Sequence, residues 1–447
     1  MGQGHRCSDR VDPIVRPALE VWSPLPPLGS GIADYVEEQL ETLEGIFDLT
    51  LCSENPEQVD RGLRARHRVI AQTASDGKAL RVYHIGNSPL HGAIYREALR
   101  APGVVVLHEW NLHELLLSFA VTSNDFDGYR RAMRREHGEA GSVAAGAIAS
   151  ALGGLHWTSV FPLNAEILSR ALGVVCLSGS TAARVAARVP GTPLFHLRHH
   201  ALLRANTASR AEARARLGFG EPARIVLAPG LGTASKSLDV ARSAVAKIRA
   251  SLPGVLLVTV GGGSAQGAAN AEAGERALGR VDLHTLGDAL LAADVVLALR
   301  FPSRGETSGV LMRALAAGRA AVVSSGSTAD EDLPEGVVAR VNPGPGEARE
   351  LGAVLEFLLT DHEARERMEA LSAETARNLK PGPLTEGLAA FVQQVARDRP
   401  GLEARMQARE ARGQDVRERM RDDIERAASS LGLNHLPPGV FERLARL

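Results

Sequence analysis

Four short segments of this chain combine glycine, hydroxyl, cationic and carboxylate side chains at points where an apolar run gives way to a helical pattern. In PLPPLGSGIADYVEEQL (24–40), Gly29, Ser30 and Gly31 open an amphipathic helix after a Pro/Gly loop. Glycines there let a ligand approach the backbone, and the free amides of a helix N-terminus attract an anion. A plain turn would use the same residues. In GVVVLHEWNLHELLL, His108 and Glu109 close an apolar run, the edge where open α/β sheets hold ligands. The alternative for His108 is a strand-end residue held by local hydrogen bonds. His113 and Glu114 follow, but the two histidines are five residues apart, whereas a helical zinc pair needs four, so no metal site is expected.

The third segment, RIVLAPGLGTASKSLDVARSAVAKI, carries Gly230 and Gly232 in a loop and Lys236 just before a helix. A cation and free amides at one point suit a diphosphate. The stretch from Gly230 to Ser237 nearly matches the P-loop pattern, but Ser235 replaces its last glycine. The later run DVVLALR also lacks the terminal acid that would hold magnesium, which argues against a P-loop nucleotidase. In the fourth, DVVLALRFPSRGETSGVLMRALAAG, Arg300, Arg304 and Glu306 precede Thr307, Ser308 and Gly309 at the start of an apolar helix. Hydroxyls and a glycine at a helix N-terminus can cradle phosphate, and a neighbouring carboxylate can grip sugar hydroxyls. The structural alternatives are a surface charge for Lys236 and a first-turn capping acid for Glu306.

Such groups act together only if rigid elements converge on them. Apolar runs at 19–22, 80–85, 103–108, 173–177 and 193–197 alternate with helix-patterned segments, and the rhythm restarts at 224–229, 254–260, 294–300, 320–325 and 336–341. That alternation is the signature of parallel α/β sheets. A chain of 447 residues exceeds what one core usually serves. The polar linker near residue 205 divides it into domains 1–204 and 205–384, and a mixed-charge helical extension fills 385–447 up to the breaker LNHLPPG. The extension is expected to pack on the body, and it is also the candidate surface for a homo-oligomer.

Composition narrows the classes further. With 45% hydrophobic residues, 23% charged residues and a net charge of -1, nothing attracts nucleic acid or anionic lipid in general. No stretch approaches the ~20 apolar residues that span a bilayer, and the N-terminus lacks a signal core, so a cytoplasmic chain is expected, at most peripheral to the inner membrane face. Cys7, Cys52 and Cys176 match neither a disulfide framework nor a zinc site. Only Lys78, Lys236, Lys247 and Lys380 among the 51 basic residues are lysines, which marks Lys236 out.

Taken in order, SGIADY, GNSPLHGAIY, PGVVVLHE, FPLN, PGLGTASK and LRFPSRGETSG resemble the characteristic blocks of bacterial glycosyltransferases of the family 4 type, across residues 20 to 375. The resemblance implies a GT-B fold, two Rossmann-like domains facing across a cleft, with the donor held mainly by the second. It implies sugar transfer, of hexosyltransferase type, from a nucleotide-diphosphate sugar with retention of configuration, needing no metal and no cofactor beyond that co-substrate. Gly31 falls where the family's loop meets the donor diphosphate, His108 at its cleft histidine and Lys236 at its diphosphate lysine. Glu306 falls at the acid on the donor sugar, and Ser308 and Gly309 at the amides under the phosphates. The commoner pattern has two glutamates separated by seven residues, but Ala314 stands eight after Glu306; anchored on MRALAAG instead, Arg313 takes the second place and Gly305 the first. The acid that grips the ribose is therefore absent. Glu109 stands where aspartate is commoner, and Leu177-Ser178 where His-Ser is common.

The acceptor is open between a saccharide, a lipid-linked saccharide and a small molecule. Two alternatives remain: another GT-B activity, such as a sugar-nucleotide epimerase or a glycogen-type phosphorylase, and a non-catalytic GT-B-shaped binding or scaffold protein. A phosphorylase would need a pyridoxal phosphate lysine, and nothing singles one out.

Overall fold

The computed structural model describes residues 16–152, 155–220, 223–230, 234–261, 269–270 and 274–430. Cys7, Gly232 and the LNHLPPG breaker lie outside them. Two seven-stranded sheets form the frame. The first contains β1 (Ala18–Trp22), β2 (Asp48–Ser53), β3 (Arg68–Ala71), β4 (Leu80–Ile85), β5 (Val104–Leu107), β6 (Gly173–Cys176) and β7 (Leu194–His196). The second contains β8 (Arg224–Pro229), β9 (Val255–Val260), β10 (Ala269–Asn270), β11 (Glu275–Ala277), β12 (Val295–Ala298), β13 (Ala320–Ser324) and β14 (Val338–Val341).

The central strands β4, β5, β12 and β13 are buried at every position, as parallel strands with helices on both faces must be. The first sheet runs β3-β2-β1-β4-β5-β6-β7 and the second β10-β11-β9-β8-β12-β13-β14. All strand pairs are parallel except β10 with β11. Each sheet therefore reverses its winding direction once, between β1 and β4 and between β8 and β12. At such a switch point the loops leaving the strand ends diverge and open a crevice.

The apolar runs of the sequence correspond to ten of these strands. The pattern did not reveal β2, β3, β10 or β11. In β2, DLTLCS, polar Thr50 interrupts the run although it is buried, and β3 lies near a sheet edge with no fully buried residue. The last two strands are only two and three residues long.

The C-terminal helix starts at Pro381, four residues before the expected extension, and continues to Ser430. Leu384, Leu388, Phe391, Val392, Val395 and Leu402 recur at helical spacing and enter the core of the first sheet. Phe391 stacks on Phe195 of β7 with ring centroids 5.5 Å apart. Any Cβ on Gly173, at the head of β6, would lie 2.9 Å from Val395. The chain thus leaves the first sheet after β7, builds the second and returns, and the two crossings are joined by the Ala201 amide donating to the Leu379 carbonyl at 2.7 Å. Truncating the aromatic anchor of this return, Phe391→Ala, is expected to cost about 3 kcal/mol, read as a lowered midpoint of urea unfolding; an unchanged midpoint would show that the helix adds nothing to that core.

Candidate active site

The site is built from loops at the two switch points. After β1, the Ser30 hydroxyl accepts from the Ile32 amide at 3.3 Å and caps the helix Gly31–Glu37. A Cβ on Gly29 would lie 2.2 Å from the Arg280 guanidinium, so this loop touches the second domain. At the end of β5, the His108 amide donates to the Ile85 carbonyl at 2.9 Å, and the next residue, Glu109, accepts from the Asn87 amide at 3.3 Å. Burial, and then the charge of Glu306, push the Glu109 carboxyl up to about 7.

On the opposing side, Lys236 ends a 3-10 turn, and Ser237, at φ 49°, leads into the helix Leu238–Ile248. The Lys236 ammonium folds over Gly230, where a Cβ would lie 1.8 Å from it; with φ at 130°, that position suits only glycine. Burial, and then the neighbouring Arg300, lower the Lys236 ammonium to about 8, with Glu306 opposing. The Phe301 amide donates to the Ser235 carbonyl at 2.8 Å and ties the Lys236 turn to the loop after β12. In that loop Glu306 is 6% exposed, pairs with Arg300 at 2.8 Å and accepts from the Arg304 amide at 2.6 Å. Ser308 accepts from the Leu311 amide at 3.2 Å and caps the helix Gly309–Ala316. The first amides of a helix have no partner within it, and Gly309 begins this one opposite His199 of the first domain.

Of the expected residues, Glu109, Lys236, Arg300 and Glu306 therefore act on one another, while His108 stands beside His84 and Tyr35. Arg304 is placed differently. Its guanidinium makes two hydrogen bonds, 2.5 and 2.7 Å, to the Glu114 carboxylate across the cleft, so its charge is engaged by the protein. His113, which the sequence set beside a metal site only to reject it, is buried with one ring nitrogen 2.6 Å from the Phe161 carbonyl and the other on the Tyr129 hydroxyl.

Further bonds close the domains on each other. The Asn111 amide donates to the Arg304 carbonyl at 2.9 Å, and the Thr181 hydroxyl to the Gly305 carbonyl at 3.3 Å. The amides of Gly179 and Ser180 donate to Asp332 and Glu331. Glu38 pairs with Arg313 across the domains at 2.7 Å and, within the first domain, with His200 at 2.7 Å. A cavity of about 20 Å³ beneath this closure, lined by Leu177, His199, Thr307 and Met312 among others, has room for a water molecule and not for a sugar. Sequence reasoning did not find the Glu38 or Glu114 contributions. Glu114 and Arg304 are 190 positions apart, and no local pattern announces such a pair.

Gly305 shows how tight the closure is. Its φ is 78°, and a Cβ would lie 2.5 Å from the Cβ of Trp110. Gly305→Ala is expected to cost roughly 1–2 kcal/mol in backbone strain and to hold the domains apart, giving a lower melting temperature and red-shifted tryptophan emission as Trp110 meets water. Wild-type values for both would remove Gly305 from the closure.

The sequence matches no protein-family model and no curated protein. Its structure is similar to several solved ones. Anabaena HepE in complex with UDP and glucose superposes with a TM-score of 0.54 at 12% identity, covering 85% of this chain and 100% of that one. WaaG, a glycosyltransferase involved in lipopolysaccharide biosynthesis, gives 0.53 at 13% identity, covering 84% and 99%. Sucrose-phosphate synthase from Thermosynechococcus elongatus gives 0.56 at 15% identity, covering 87% and 100%. The architecture this chain shares with them is the GT-B fold.

Proposed function

We propose that this chain is an enzyme, a glycosyltransferase that moves a sugar from a nucleotide-diphosphate donor to an acceptor hydroxyl. The observation that carries the reading is the convergence of Lys236 and Arg300 on the Glu306 carboxylate, with Glu109 in the same field. Glycosyl transfer passes through an oxocarbenium-like transition state while a diphosphate departs, so developing phosphate charge is the main demand on the site. Lys236, Arg300 and the helix amides meet that demand without a metal ion. Glu306 orients the sugar hydroxyls, His108 lines the opposite face, and Glu109, neutral below its raised value of about 7, can donate as well as accept. Solved HepE structures carrying UDP and UDP-glucose support a nucleotide-sugar donor.

In the same reading, transfer is of hexosyltransferase type with retention, residues up to 204 form the acceptor side and 205–384 the donor side, and closure excludes water that would hydrolyse the donor. The acceptor is a saccharide, a lipid-linked saccharide or a small molecule, met in the cytoplasm. One observation favours a second reading, a GT-B-shaped binding protein without turnover: Arg300 and Arg304 are already neutralised by Glu306 and Glu114. A thermal-shift series with UDP, GDP, ADP and TDP, followed by donor hydrolysis in excess EDTA, separates the two. The enzyme reading expects stabilisation by one nucleotide, growing with its concentration over its dissociation constant, and EDTA-resistant hydrolysis of the matching nucleotide sugar. Binding without hydrolysis supports the second reading, and binding of none of the four overturns both.

Lys236 gives a sharper test through pH. Its charged form binds a diphosphate, and that form is lost in the free protein as pH rises through about 8. Nucleotide diphosphate affinity should fall above that value, by up to about tenfold per pH unit. Lys236→Arg, whose guanidinium does not titrate in this range, should bind with no such fall. Lys236→Ala should lower turnover by roughly two to three orders of magnitude; near-normal turnover would remove Lys236 from the site.

A further inference from the structure

Behind His108 lies a second buried histidine. His84 Nδ1 is 3.0 Å from His108 Nε2, and His91 Nδ1 is 2.9 Å from the His84 carbonyl. The rings of His84 and His108 are 1% and 7% exposed, with Tyr35 edge-on to His108 at 5.3 Å. We propose that His84 is a positioning residue that fixes the tautomer of His108, so that His108 presents Nδ1–H to the cleft as a hydrogen-bond donor. The inference deepens the glycosyltransferase reading and, in its role for turnover, rests on it.

The tautomer follows from accounting for every ring nitrogen. Burial holds both imidazoles neutral, with His84 lowered to about 3 and His108 well below its ordinary value. Between two neutral rings, one nitrogen donates and the other accepts. If His108 Nε2–H were the donor, His84 would carry its own proton on Nε2. That atom is buried and has no partner among the described residues, so a buried N–H would be left unmatched. If His84 Nδ1–H donates, its Nε2 is left with only an unmatched lone pair. Orphaned buried donors are the rarer and costlier of the two. The His84 proton therefore sits on Nδ1, His108 Nε2 accepts it, and the remaining His108 proton sits on Nδ1. In general the bond made by one imidazole nitrogen decides what the other can do. A neutral donor there suits an oxygen that carries lone pairs but little charge, a sugar or acceptor hydroxyl, better than it suits phosphate. The His91 bond to the His84 carbonyl fixes the backbone that carries this arrangement.

The test is nitrogen NMR on 15N-histidine-labelled full-length protein at neutral pH, with the His108 signals assigned by their loss in His108→Gln. In the wild type, the long-range proton–nitrogen pattern should show His108 protonated on Nδ1. In His84→Phe, which fills the space without a donor, Nε2 loses the hydrogen bond that kept it an acceptor, and the pattern should shift from Nδ1 alone to a mixture of the two tautomers. His84→Asn, whose side-chain amide reaches the same place as the imidazole Nδ1, should restore Nδ1. In donor hydrolysis, His84→Phe should lower kcat by roughly tenfold, the scale of losing a partner that orients a functional imidazole, with KM little changed, and His84→Asn should recover most of that loss. A wild-type His108 protonated on Nε2, or a tautomer indifferent to His84→Phe, overturns the proposal. So does a shifted tautomer with unchanged kcat. Because the tautomer is read without turnover, a failure of the glycosyltransferase reading would show separately, as absence of nucleotide binding with the predicted NMR pattern intact.

Discussion

A carboxylate removed from water must be answered by cations and hydrogen-bond donors, or it will take up a proton. Glu306 is answered by the Arg300 guanidinium and the Arg304 amide, while its own carbonyl accepts from Thr328 at 2.5 Å. Glu109, facing the same charge with a single amide donor, is not fully answered and titrates near neutrality. The difference between these two acids sets the character of the cleft. Glu306 accepts from the partners named above, and Glu109 can change its role with pH. Lys236 stands in the same field, lowered by burial and by Arg300 and supported by Glu306. In the proposed function, an incoming diphosphate would compete with Glu306 for these cations, which would couple donor binding to the freeing of the Glu306 carboxylate.

That arrangement depends on two sheets wound in the same order. Because β1 and β4 diverge in one domain and β8 and β12 in the other, the loops carrying Gly29–Gly31, Gly86–Asn87, Lys236 and Arg300–Gly309 all emerge at strand ends beside a switch point. The C-terminal helix then joins the first core after the second is complete, and the paired crossings at Ala201 and Leu379 form a narrow joint. Domains connected by two adjacent crossings can part without unfolding either core. The Glu38, Glu114, Glu331 and Asp332 contacts hold them together in this conformation. Most of these pairs keep some exposure to solvent, where ion pairs contribute modestly, so a ligand can replace them at little cost.

The amino-acid sequence alone determined the alternation of apolar runs and helices that builds the two sheets. Glycines before a cap, a lone lysine at a helix start and an acid beside Ser308 are local signals, each readable within a dozen residues because helix capping and close backbone approach are local physics. Strands β2 and β3 escaped because a buried Thr50 and a half-buried edge break the apolar pattern. Only the tertiary structure decided which charges are free. It turned Arg304 onto Glu114, gave Arg313 to Glu38, set Trp110 against Gly305 and placed His84 behind His108. Desolvation and pairing depend on what packs from the other domain, hundreds of positions away, and a residue's type carries no record of its distant neighbours.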